Sequence, residues 1–127
     1  MKERFTIQDF SWIEDEEGNV VEWGEYWDGY LKFVESLIIT KEDNRLIENA
    51  LGLAGEVGEV SEKIKKFFRD GTLDKEAIQK ELGDVMFYWV ALHGALFLDP
   101  SETVKKNRKK LLSRYERGTL QGSGDNR

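Results

Sequence analysis

The sequence has no cysteine, one proline, one histidine and no long apolar run. Without cysteine there is no disulfide framework, and the chain suits a reducing setting, so a cytoplasmic protein is expected. No apolar stretch approaches the roughly 20 residues of a membrane span, and the opening MKERFTIQDF lacks the apolar segment of a signal peptide, so no membrane partner is expected. The lone histidine, His93, excludes a ferritin-like di-iron site, which needs Glu-x-x-His pairs on two helices. Positive charge is also short: 19 Lys and Arg stand against 25 Asp and Glu, a net −6. That balance argues against nucleic acid as a partner, because backbone binding needs a cationic face that releases counterions.

What is present reads as helix. The 127 residues fit one domain, and 35 % charged against 39 % hydrophobic residues is the balance of a soluble, helix-rich chain. Residues 1–22 form an N-terminal extension in which FTIQDFSWIEDEEGNVVEW suggests a short β-hairpin, with apolar and β-branched residues on both sides of a Gly-Asn turn. A helical domain is expected over 23–117, and the polar, Gly-containing stretch 118–127 is expected as a flexible tail.

Within the helical domain, Trp23, Trp27, Tyr30, Leu31 and Val34 recur at three- and four-residue intervals and predict a first helix from Trp23 to Ile38. Its aromatic stripe is either core or a surface on which a base stacks, with Trp27 and Tyr30 as the candidates. Thr40 and Asp43 resemble a capping box before a second helix whose stripe is Leu46, Ala50, Leu53, Val57, Val60, Ile64 and Phe67, ending at Gly71. Asp74 caps a third helix that turns apolar almost all round through VMFYWVALHGALFL. One chain of this size is not expected to cover Phe87, Tyr88, Trp89 and Val90 on every side, which predicts a partner subunit. His93 in that stretch is expected to be a satisfied core histidine. Asp99, Pro100 and Glu102 start a fourth helix with a stripe of Val104, Leu111 or Leu112 and Tyr115 and strongly basic remaining faces.

Two acidic pairs, Glu56/Glu59 and Glu81/Asp84, lie on the second and third helices. Residues three apart in a helix sit about 60° apart around the axis, so each pair can direct two carboxylates toward one point. Side by side, the two helices would form a four-carboxylate cage of the kind that suits Mg²⁺ or Mn²⁺ rather than zinc or copper. The ordinary alternative is a solvated helix face. Against it stand Gly52, Gly55, Gly58 and Gly83 among the acids, since glycine costs up to roughly 1 kcal/mol inside a helix. Close helix approach, or room for a bulky ligand, would offset that cost.

The segments LGLAGEVGEVSEKIKKFFRDG and KELGDVMFYW resemble the ExxE and ExxD motif of the MazG-type all-α nucleoside-triphosphate pyrophosphohydrolases, and the resemblance runs from about Tyr26 to the C-terminus. It implies a four-helix bundle-like MazG fold paired as a homodimer or homotetramer. It further implies Mg²⁺-dependent conversion of NTPs or dNTPs to the monophosphate and pyrophosphate, as in nucleotide-pool control. By this resemblance Glu56, Glu59, Glu81 and Asp84 are the metal ligands, and Asn107 and Lys110 are phosphate or sugar contacts. Lys66 and Arg69 join them as phosphate neighbours by charge and position. Glu59 is the expected acceptor of the attacking water's proton. The rival reading is a non-catalytic acidic helical module, a DNA mimic or partner-binding bundle, with its acids spread over the exterior and no dependence on divalent cations.

Overall fold

The structure, a computed structural model, describes residues 12–14, 17 and 20–127. It is helical apart from one short ribbon. Strands β1 (Trp12–Glu14) and β2 (Val20–Glu22) are followed by helices α1 (Trp23–Leu37), α2 (Glu42–Asp70), α3 (Lys75–Ala95) and α4 (Pro100–Glu116). Two compact units result: residues 29–98 form one, and the described residues up to Asp28 join 99–127 in the other.

The 29–98 unit is built on α2 and α3. Gly71 takes a left-handed φ of 79° and its N–H donates to Phe67 O at 2.7 Å, ending α2 as a glycine C-cap does. Three residues later Asp74 accepts from Ala77 N at 3.0 Å and starts α3. So short a connection makes the two helices antiparallel neighbours. The start of α2 departs from expectation: the Thr40/Asp43 capping box does not form. Lys41, which has no side-chain acceptor, occupies the N-cap, and Glu42 and Asp43 lie in the first turn beside the positive end of the helix dipole. Arg45 fastens this end instead, donating through Nε to Thr40 O at 3.3 Å and through Nη1 to Glu35 Oε2 at 3.1 Å.

Gly52 faces the Tyr88 ring so closely that a Cβ there would overlap it, whereas Gly55, Gly58 and Gly83 have open space. Close helix approach therefore accounts for one of the four glycines and leaves room beside the acids at the other three. Asn49, buried on α2, donates Nδ2 to Ala91 O across the helix pair at 3.4 Å, which gives its buried amide nitrogen a partner. Val34, Val90 and Ala91 are fully buried. His93 is buried with Nδ1 2.7 Å from Trp89 O, so the carbonyl accepts and Nδ1 carries the proton, as a core histidine requires.

Exposed apolar surface falls on both helices, with Leu82 and Met86 open on α3 and Leu96, Phe97 and Leu98 open just beyond it. On α3, Phe87, Tyr88 and Trp89 are largely covered and Val90 wholly so within the single chain. The α2 stripe is the less covered one. Leu53 and Val60 are partly buried, but Leu46, Val57 and Ile64 remain nearly half exposed, and Ile47 and Leu51 beside them more so. A single antiparallel neighbour shields one side of a long helix and leaves its flank open.

In the other unit β1 and β2 pair antiparallel, with Trp12 opposite Glu22, Ile13 opposite Val21 and Glu14 opposite Val20. Asp99 caps α4 by accepting from Ser101 N at 2.9 Å, with Pro100 in the first turn. The expected tail residues carry specific contacts: Arg114, 4 % exposed, donates Nη2 to Asp125 O at 2.6 Å, and Lys110 Nζ lies 3.4 Å from Asp125 Oδ1. Hydrogen bonds from Lys110 and Arg114 hold the Asp125 carboxyl below the usual carboxylate range.

Candidate metal centre and active site

Glu56 on α2 and Glu81 and Asp84 on α3 each offer a carboxylate oxygen, and these oxygens all lie within 4.8 Å of one another. The i, i+3 spacing of Glu81 and Asp84 puts both on the α3 face turned to Glu56. Glu56 and Glu81 are partly buried and Asp84 is exposed, so the cluster sits at the boundary between helix packing and solvent. Desolvation, then the charges of Asp84, Glu81 and Glu59, push the Glu56 carboxyl above its ordinary range.

Those features fit a cation. Oxygens around an ion of Mg²⁺ size stand up to about 4.2 Å apart at the usual 2.0–2.1 Å ligand distance, so small side-chain rotations would close the set. A donor set made of carboxylates alone matches hard divalent ions. Repulsion among three acids is relieved when positive charge lies between them.

The other expected site residues divide. Glu59 is exposed and is not part of the convergent set, although its charge is felt at Glu56. It lies one turn from Glu56 on the same helix, and its oxygens are not among those within 4.8 Å. Arg69 is engaged by its neighbour Asp70, with Nε–Oδ1 at 2.7 Å and Nη2–Oδ2 at 2.9 Å, and Lys66 is exposed. Tyr30 is partly buried, with its ring centroid 6.1 Å from that of Phe33. In the other unit Asn107 is exposed, Lys110 meets Asp125, and Trp27 is buried with the Tyr26 ring edge-on to it. The burial of Trp27 is what the core alternative for the aromatic stripe expects.

Lys63 opens the basic run that continues through Lys65, Lys66 and Arg69 on α2. Its Nζ lies 3.3 Å from Glu81 Oε1, joining α2 to α3 beside the acidic cluster. Next to that pair is a cleft of about 330 Å³ lined by Lys63, Asp74, Glu76, Ala77, Lys80 and Glu81. Lys63 follows Glu56 by seven residues and so shares its helix face, a signal present in the sequence and readable only with the acids as a reference.

Residues 45–119, which carry the acidic cluster and Lys63, match the family described as the MazG nucleotide pyrophosphohydrolase domain. The chain belongs to this family. The MazG match covers Glu56, Glu59, Glu81, Asp84, Asn107 and Lys110 and leaves out Trp27, Tyr30 and the β ribbon. Over 82 residues the chain is 46 % identical to the Gene 37 protein of Mycobacterium phage L5, an alignment covering 61 % of this chain and 72 % of that one. No solved structure matches it. Among the described residues, no helix of this MazG chain is long and apolar enough to cross a membrane.

Proposed function

We propose that the protein hydrolyses nucleoside triphosphates, NTPs or dNTPs, to the monophosphate and pyrophosphate with Mg²⁺, or Mn²⁺ in its place, as a nucleotide-pool enzyme of the cytoplasm. The observation that carries this reading is the convergence of Glu56, Glu81 and Asp84 within a segment of MazG sequence. These three residues would hold the cation. Bound there, a divalent ion neutralises phosphate charge and lowers the pKa of a coordinated water.

The chain supplies the rest of the chemistry. Glu59 is exposed one turn from Glu56 and accepts the proton of the attacking water. A new P–O bond forms at the α-phosphorus, the bond from that phosphorus to the bridging oxygen breaks, and pyrophosphate leaves with the bond's electrons. Lys66, Arg69, Asn107 and Lys110 are assigned to the phosphates and sugar, and Tyr30 to the base. Arg69 has to exchange Asp70 for substrate to take part.

A homodimer or homotetramer is part of this proposal, supported by the half-exposed apolar flank of α2. The helical unit proposed for the activity is 23–117. A panel of NTPs and dNTPs, with Mg²⁺ and then with chelator, tests the reading. Pyrophosphate release that stops in chelator is expected; full activity without a divalent cation, or none on any triphosphate with Mg²⁺, contradicts it.

A further inference from the structure

Lys63 is poorly explained as an ordinary surface ion pair. The Lys65–Glu62 and Lys80–Glu76 pairs each lie within one helix, and every partner is at least 47 % exposed. Lys63–Glu81 joins two helices, with side chains 29 % and 19 % exposed. Glu81 is also a member of the convergent acidic set, so Lys63 contributes one positive charge to a cluster of three negative ones. The cleft beside it is lined by two lysines, Lys63 and Lys80, and three acids, Asp74, Glu76 and Glu81, with space for a further group.

We propose that Lys63 is a substrate-binding residue of the triphosphate site, held on Glu81 as a placeholder cation until a divalent ion and phosphate arrive. This inference rests on the hydrolase reading of the same site. The physical argument is one of competition. When Glu81 serves a divalent ion, its hold on a monovalent ammonium weakens, because the ion's double charge repels Lys63 at short range. The four-carbon stem of lysine lets the ammonium move without backbone change, and lysine binds phosphate as a point charge. Phosphate oxygens held by the divalent ion would then compete for the ammonium with Asp74 and Glu76, and the cleft gives it room to move. Lys63 makes no covalent bond and transfers no proton.

Two bindings separate this role from its rivals: Mn²⁺ alone, followed by electron paramagnetic resonance, and inorganic triphosphate in the presence of saturating Mn²⁺, followed by calorimetry. Lys63→Met is expected to bind Mn²⁺ at least as tightly as the original protein and to weaken Mn²⁺-dependent triphosphate binding by about tenfold or more, the loss of one charge-assisted contact. Lys63→Arg, which keeps the charge, should recover most of that binding. If Lys63→Met weakens Mn²⁺ binding itself, Lys63 merely positions Glu81 and the proposal falls. Unchanged triphosphate binding reduces the pair to a structural ion pair, and no Mn²⁺-dependent triphosphate binding by the original protein also overturns it. A protein that binds triphosphate through Lys63 but releases no pyrophosphate from any nucleotide would instead count against the hydrolase reading.

Discussion

The Tyr88 ring lies against the backbone of Gly52, so closely that a Cβ at position 52 would overlap it. That approach sets the spacing of the helices that carry Glu56, Glu81 and Asp84, and a substitution can separate its effect from helix propensity. Gly52→Ala is expected to destabilise the protein even though alanine favours helix, because forced overpacking typically costs about 1–3 kcal/mol. Gly55→Ala, with open space around it, should gain up to roughly 1 kcal/mol. Thermal melts of the two variants should move in opposite directions; a rise for both would show that Tyr88 yields without cost.

Glu59 and the convergent acids should differ in what they lose. Glu81→Gln and Asp84→Asn are expected to weaken Mn²⁺ binding and to lower turnover by orders of magnitude with the fold intact, because neutral amides are poor ligands for hard cations. Glu59→Gln should lower kcat strongly while leaving Mn²⁺ binding to the nucleotide-free protein close to its original strength. Metal titration by paramagnetic resonance beside steady-state kinetics checks this. Equal loss of Mn²⁺ binding in all three variants would return Glu59 to the ligand set.

Glu56 gives a pH dependence with a definite sign. Its carboxyl is raised in the folded state by desolvation and by Asp84, Glu81 and Glu59. Ionised Glu56 therefore destabilises the metal-free fold at pH values above the raised folded pKa. The penalty fades as pH falls from there to the unfolded value, below which Glu56 is protonated in both states. Glu56→Gln should accordingly raise Tm in metal-free buffer at pH 7, with the gain vanishing near pH 4. In Mg²⁺ the order should reverse, because the original protein alone keeps the full ligand set and is stabilised by binding. A lower Tm for Glu56→Gln in metal-free buffer at pH 7 would contradict this.

Trp27 distinguishes packing from stacking. The side chain is 8 % exposed. Truncating a buried aromatic to alanine costs about 3–5 kcal/mol, so Trp27→Ala should melt markedly lower with its KM unchanged. A raised KM with an unaltered melt would make the ring a base-stacking surface.

Much of this arrangement was legible in the chain, and the limits have physical causes. Gly71, Asp74 and Asp99 announce their helix ends because each supplies a local backbone or side-chain device that needs no tertiary partner. An acidic cluster was readable, as the pairs Glu56/Glu59 and Glu81/Asp84, because three-residue spacing fixes helix faces. Which of the four carboxylates lie within 4.8 Å of one another was not, since that depends on the register at which α2 and α3 cross. The partners of Lys63 and Arg114 were hidden because helix spacing gives each charge but not what packs against it, Glu81 of the facing helix for Lys63 and Asp125 of the returning segment for the buried Arg114. Thr40 misled because a capping pattern one residue out of place leaves Lys41 at the helix start.

The most direct test of the central claim is hydrolysis of a Mg²⁺-bound dNTP in ¹⁸O-labelled water, with the label located in the products by mass spectrometry. Attack at the α-phosphorus places one ¹⁸O in the monophosphate and none in the pyrophosphate, and Asp84→Asn should all but abolish both products. Label in the pyrophosphate, orthophosphate as the main product, or undiminished turnover by Asp84→Asn would contradict the assignment of these carboxylates to a pyrophosphohydrolase site.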